Sequence, residues 1–197
     1  MTLLDYVLHP LQLHRHHNPE VLVPQELHGD SLTAMLIDAL TLMIRQSKSA
    51  PPVIFASLGQ ILKSVAYFLN QNCDRLDPKL FADSLRLVCT CAYTLTFDFR
   101  EHSDCGTVSQ LLVGCFPHLP DPRISDHCLS ICHSFWIILG YIGSMLESKS
   151  WSSVAVDDEF ESMLNQICGI KKPFLAEHDL GIQIVTLAKE ILELTDL

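Results

Sequence analysis

Apolar residues recur along this chain with a period near 3.6, in segments separated by prolines and short polar runs. Leu32, Met35, Leu36, Ala39, Leu40 and Met43 follow i, i+3, i+4, i+7, which predicts a helix capped by Asp30 or Ser31 and ended by Ser49-Ala50-Pro51-Pro52. A second stripe, Phe55, Leu58, Leu62, Val65, Ala66 and Leu69, closes in the polar loop 70–77. Asp77-Pro78 pairs a cap with a first-turn proline and opens a third helix. That helix carries Phe81, Leu85, Val88, Ala92 and Leu95 on one face, with Leu80, Leu87 and Cys91 on another, so it belongs between two neighbours. Val108, Leu111, Leu112 and Cys115 predict a shorter helix terminated by Pro117.

Asp121-Pro122 repeats the cap-and-proline signal and is expected to launch a long, nearly uncharged helix ending near Leu146. Gly140 and Ser144, four apart, would let a neighbour approach it closely. After the Ser-rich junction 144–153, Asp157, Asp158 and Glu159 load the first turn of another helix, with Gly169 at its end. A last helix runs from Pro173 with Leu180, Ile184, Leu187, Ala188 and Ile191 as its stripe. No stretch alternates long enough for a sheet, and no Asn-Gly or Asp-Gly hairpin signal occurs, so the fold class is all-α. Residues 1–29 read as a short helix (2–8) followed by a Pro- and His-rich connector, and residues 30–197 as the helical domain.

Helix openings near Ser31, Pro78, Pro122 and Pro173 are spaced by 47, 44 and 51 residues. With the Asp77-Pro78 and Asp121-Pro122 starts, this resembles armadillo and HEAT repeats, whose period is about 40 to 47 residues. The resemblance implies a right-handed superhelix, with a compact bundle of seven or eight helices as the structural alternative. The Cys-rich apolar patch LRLVCTCAYTL (85–95) resembles armadillo-like regions of large animal scaffold proteins, the meiosis inhibitor family among them. That likeness implies a place in a meiotic or chromosome-maintenance assembly.

Charge and cysteine usage narrow the partners. A net charge of −10 repels phosphate backbones and anionic lipid, so direct nucleic-acid binding is not expected. Eight cysteines would suit a secreted disulfide framework, but no basic and apolar leader and no Asn-x-Ser/Thr sequon accompany them. Reduced thiols in nucleus or cytoplasm are the expectation. Residues 127–146 lack Asp, Glu, Lys and Arg over a spanning length. His127, Ser130, His133, Ser134 and Ser144 within the run, and the absence of basic flanks, favour a buried soluble helix over a membrane span.

Candidate chemistry is sparse. His102, Cys105, Cys128 and Cys132 offer four zinc-ligand types, although their spacing fits no standard knuckle. The same cysteines with His133 give the alternative reading of a zinc- or thiol-dependent enzyme. The histidines at 9, 14, 16, 17 and 28 lie in a connector whose Leu11, Leu13, Val21, Leu22 and Val23 suit a groove of this domain or of another copy. No phosphate loop, nucleophile elbow, dinucleotide fingerprint or zinc-protease motif is present. The reading is therefore a non-catalytic scaffold domain without a cofactor, binding a peptide or helix of another protein, with self-association open. Trp151, placed in SKSWSS, and the acidic Asp157, Asp158, Glu159 and Glu161 are the expected contacts, with Trp136 and Tyr141 as further aromatic anchors.

Overall fold

The computed structural model describes residues 52–72, 74–98, 105–147 and 157–195, with side chains for residues 59, 61–72, 74–92, 106–147 and 157–195. The expected helices at 2–8 and 30–49, the connector 11–29 and its histidines lie outside these residues. The described residues form seven α-helices and no strand. In chain order they are α1 (Pro52–Asn72), α2 (Pro78–Asp98), α3 (Cys105–Cys115), α4 (Asp126–Glu147), α5 (Asp158–Cys168), α6 (Phe174–Glu177) and α7 (Asp179–Thr195). A 3₁₀ turn, Phe116–His118, follows α3.

The helices stack as pairs. α1 packs on α2, α3 on α4, and α5 on α7, while one row runs α1–α3–α5 and the other α2–α4–α7. Helices joined across a pair boundary, α2 with α3 and α4 with α5, make at most marginal contact. The pairs open at Pro52, Cys105 and Asp158, 53 residues apart each time. This pairing differs from the expected one, in which new pairs began at Pro78 and Pro122. Those prolines begin or precede the second helix of a pair.

Local chemistry explains the helix starts. Asp77 Oδ1 accepts from the backbone N–H of Lys79 at 2.9 Å and Leu80 at 3.3 Å, as expected of a cap followed by Pro78. Asp121-Pro122 does otherwise. Asp121 accepts from the Arg123 backbone and guanidinium in a turn, and α4 begins four residues later, where Ser125 Oγ accepts from Cys128 N at 3.2 Å. Asp157 caps α5 through Phe160 N at 2.7 Å, with Asp158, Glu159 and Glu161 in the first turn. At its far end Gly169 is the capping residue, yet its φ is −75°, and the left-handed position falls on Ile170 at φ 52°. The expected last helix from Pro173 is broken in two. His178 interrupts it and restarts α7, its Nδ1 accepting from Leu180 N at 3.1 Å.

α4 is the central helix, in most extensive contact with α2 and next with α7. Its interior stripe of Cys128, Ile131, Cys132, Phe135, Ile138, Leu139 and Ile142 is buried, each apolar side chain of this size contributing about 1.5–3 kcal/mol. α4 is long and apolar enough to cross a membrane by length and composition, but more than half of its most apolar stretch is covered inside the fold. Over residues 80–92 α2 is buried nearly all round, as its two apolar faces require. Two close approaches seat α7. Gly143, rather than the exposed Ser144, joins Gly140 against α7, and a Cβ on it would lie 3.2 Å from Ile191 Cγ1. Gly181 lets α7 fold back on α6, where an added Cβ would collide with the Phe174 carbonyl oxygen and sit 2.7 Å from Leu175 Cα.

Gly181→Ala is therefore expected to cost roughly 2 kcal/mol or more, because its obstacle is backbone that cannot rotate away. Gly59→Ala in α1, with no neighbouring atom within 4 Å, is expected to be neutral or to gain about 0.5–1 kcal/mol. Urea unfolding midpoints of the two variants check both signs.

Candidate protein-interaction site

α4 and α7 run in the same direction, since Gly140 faces Leu187 while Gly143 faces Leu187 and Ile191. Along that contact their outward faces leave an apolar groove of about 560 Å³. Trp136, Ile137 and Gly140 form one wall, and Ile182 and Leu187 the other. Gln183, Thr186 and Glu190 supply the polar atoms, the Thr186 hydroxyl being already used on Ile182 O at 2.9 Å. Ile137 is 36% exposed and Ile182 48%, and Leu129, two turns back along the same face of α4, is 42% exposed. The His133 ring lies 5.7 Å from the Trp136 indole, one turn back along α4. The other aliphatic residues of these two helices are buried or half-buried.

The groove's charge is one-sided. α4 contains no Lys or Arg. α7 contains one, Lys189, which is not in the groove's lining and whose charge is felt by Cys168 of α5. Glu190 on the rim makes no ion pair among the described residues, and Glu193 and Glu147 are exposed further along the two helices.

Of the expected partner contacts, Trp151 lies outside the described residues. Asp157 is committed to its cap, and Asp158, Glu159 and Glu161 are exposed around the first turn of α5, remote in sequence register from the groove. Tyr141 is buried in the core and Trp136 lines the groove. Of the four zinc-ligand types, His102 lies outside the described residues and Cys105 is described only as the first residue of α3. Cys128 and Cys132 share one buried face of α4 but are occupied separately. Cys128 Sγ accepts from Ser125 Oγ at 3.2 Å, while the Cys132 thiol donates to Pro120 O at 3.2 Å. Among the described residues no cluster of three or more His, Cys, Asp or Glu is disposed to hold a metal.

Burial, and secondarily the neighbouring Cys128, push the Cys132 thiol up to about 12. At neutral pH it is a protonated hydrogen-bond donor and a poor nucleophile. Cys91 is likewise pushed up to about 12 by burial, then by Cys89. Beside Cys132, Lys172 Nζ donates to Pro117 O and Leu119 O, both at 3.0 Å, and sits 5.7 Å from the centre of the Phe116 ring. Arg123 holds Asp121 in a bidentate pair and reaches Glu177 at 2.9 Å. These contacts tie the turn before α4 to the α5–α7 connection.

Comparison with protein-family models, with curated proteins and with solved structures yields no match for this chain.

A thiol held protonated in the fold contributes stability that is fully present below the unfolded value of about 8.5 and is lost as pH rises towards the folded value. The urea midpoint of the wild type should thus fall above about pH 9 more steeply than that of Cys132→Ala, while below about pH 8 the two curves should run parallel. Equal slopes across the alkaline range would contradict the assignment of Cys132.

Proposed function

We propose that this chain is a non-catalytic helical-repeat module that binds another protein, and that the groove between α4 and α7 is its contact surface. The observation that carries the reading is the pair of exposed aliphatic side chains Ile137 and Ile182, in one lining with the half-buried Trp136 and Leu187. Water-exposed aliphatics grouped at one groove are the usual mark of an interaction face. The stacking of helix pairs at a constant 53 residues supports the armadillo- or HEAT-like part of the proposal, although the repeat is longer than the usual about 40 to 47. Such stacks bind partners along one row of helices. The alternative of a zinc- or thiol-dependent enzyme has less support, since Cys132 is protonated and hydrogen-bonded to backbone. A nuclear or cytoplasmic setting and a meiotic or chromosome-maintenance assembly rest on the cysteine usage and on the likeness of residues 85–95 alone.

The test is affinity purification of the tagged chain from its native cells beside two variants of matched surface cost. Ile137→Asp places a carboxylate in the groove, and Ile124→Asp alters the 73%-exposed Ile124 in the turn before α4. A stoichiometric protein that is lost with Ile137→Asp, kept with Ile124→Asp, and rebinds in purified form supports the reading. Binding weakened by at least about tenfold in the first variant alone is the expected magnitude. A partner insensitive to Ile137→Asp, in a variant whose helicity and melting are unchanged, overturns the groove assignment.

A further inference from the structure

We infer that the occupant of the α4/α7 groove is a basic amphipathic helix, packing two turns of aliphatic side chains against Trp136, Ile137 and Ile182 with a Lys or Arg beside Glu190. The inference rests on the interaction reading above and narrows it to one class of ligand. Two independent observations carry it, one from backbone chemistry and one from charge.

An extended peptide brings unpaired N–H and C=O groups into whatever groove it enters. Grooves that accept such a ligand offer a sheet edge or, for a polyproline-type segment, a lining of several aromatic rings, and this groove has a single aromatic, Trp136. Here both walls are helices whose backbone groups are spent internally, and the groove's polar side chains are Gln183, Thr186 and Glu190. The Thr186 hydroxyl is already donated to Ile182 O. An extended segment would leave most of its backbone unsatisfied against Trp136, Ile137, Ile182 and Leu187, at a cost of about 1–3 kcal/mol for each buried group. A helix carries its backbone bonds with it. The length agrees. From Ile182 to Glu190 the α7 wall rises about 12 Å, and anchors at i, i+3 or i+4, and i+7 of a docked helix span about 10.5 Å.

The sign of the ligand follows from the walls. Glu190 is the one charged residue in the groove's lining and makes no ion pair among the described residues, and α4 has neither Lys nor Arg. Glu193 one turn further along α7, Glu147 at the end of α4 and the net charge of −10 extend the same field. His133, one turn before Trp136 on α4, has its ring 5.7 Å from the indole. A Lys or Arg flanking the ligand's apolar stripe gains a partner at Glu190, whereas a Glu there meets like charge.

The probe is a display library of helical peptides about four to five turns long. Its i, i+3, i+4 and i+7 positions vary over Leu, Ile, Met and Phe, and its flanking positions over Lys, Arg, Glu and Ser. It is selected against the full chain, against Ile137→Asp and against Glu190→Lys. The chain's own segment 9–23, HPLQLHRHHNPEVLV, which is basic in the middle and interrupted by prolines, is synthesised as the non-helical comparison. The expected result is enrichment of Lys and Arg at the flanks, with affinity reduced at least about tenfold by Ile137→Asp and weakened by added salt. Glu190→Lys is expected to reverse the flank preference towards Glu. Binders that need Ile137 but show no Lys or Arg preference, or keep none of its reversal on Glu190→Lys, overturn the basic-helix inference and leave the groove reading standing. So do binders that tolerate a central proline, and so does tighter groove binding by segment 9–23 than by any selected helix. Selected peptides that are all indifferent to Ile137→Asp remove the groove reading itself.

Discussion

The structure depends on covering α4. A helix of 22 residues with no Lys or Arg and a continuous apolar stripe from Cys128 to Met145 has no stable place at a water boundary. It is covered by three neighbours at once, with α2 and α7 alongside it in the same row and α3 behind it. The other helices are arranged to make that possible. The prolines and turns between α3 and α4 aim the helix across the stack, and the glycines at 140 and 143 draw α7 near enough to close on Leu187 and Ile191. Covering is nevertheless incomplete, because two cylinders in contact along one line diverge on either side of it. The groove is the remainder of the same apolar surface, left along that contact.

Much of this architecture was legible from periodicity. The interior position of α2 followed from its two apolar faces, and the buried centre at 127–146 from a charge-free run broken by Ser and His. The short-range capping chemistry of Asp77 was equally visible, whereas Asp157, read as first-turn charge, is the cap itself. What sequence hid was the choice between equivalent starts. Asp121-Pro122 has the same letters as Asp77-Pro78, but Arg123 follows it, and the guanidinium takes the carboxylate that would otherwise cap a helix. The start then passes to Ser125. His178 broke the last helix for a similar reason, by offering Nδ1 to Leu180 N.

The site was less legible than the fold. Trp136 and Gly140 stood out as an aromatic anchor and a small residue. Ile137, Ile182 and Glu190 did not, because their significance lies in which faces of α4 and α7 fail to meet. Periodicity assigns a residue to a face of its own helix and says nothing of where the partner helix ends. The pairing of helices was misjudged on the same account, since a stack of alternating helices reads equally well in either register until contacts distinguish them. The acidic start of α5 drew attention through composition, whereas its leading carboxylate is spent on Phe160 N.

The Lys172 ammonium bears on how such a stack comes apart. Helix-pair stacks held only by apolar nearest-neighbour contact fray from their ends, one pair at a time. Here Lys172, beside α6, holds the carbonyls of Pro117 and Leu119 some fifty residues earlier in sequence, and Arg123 reaches forward to Glu177. Peeling away the last pair would break these hydrogen bonds along with the apolar contact of α7 on α4. Tension applied at the C-terminal end would therefore load this clasp as well as the face that carries the groove.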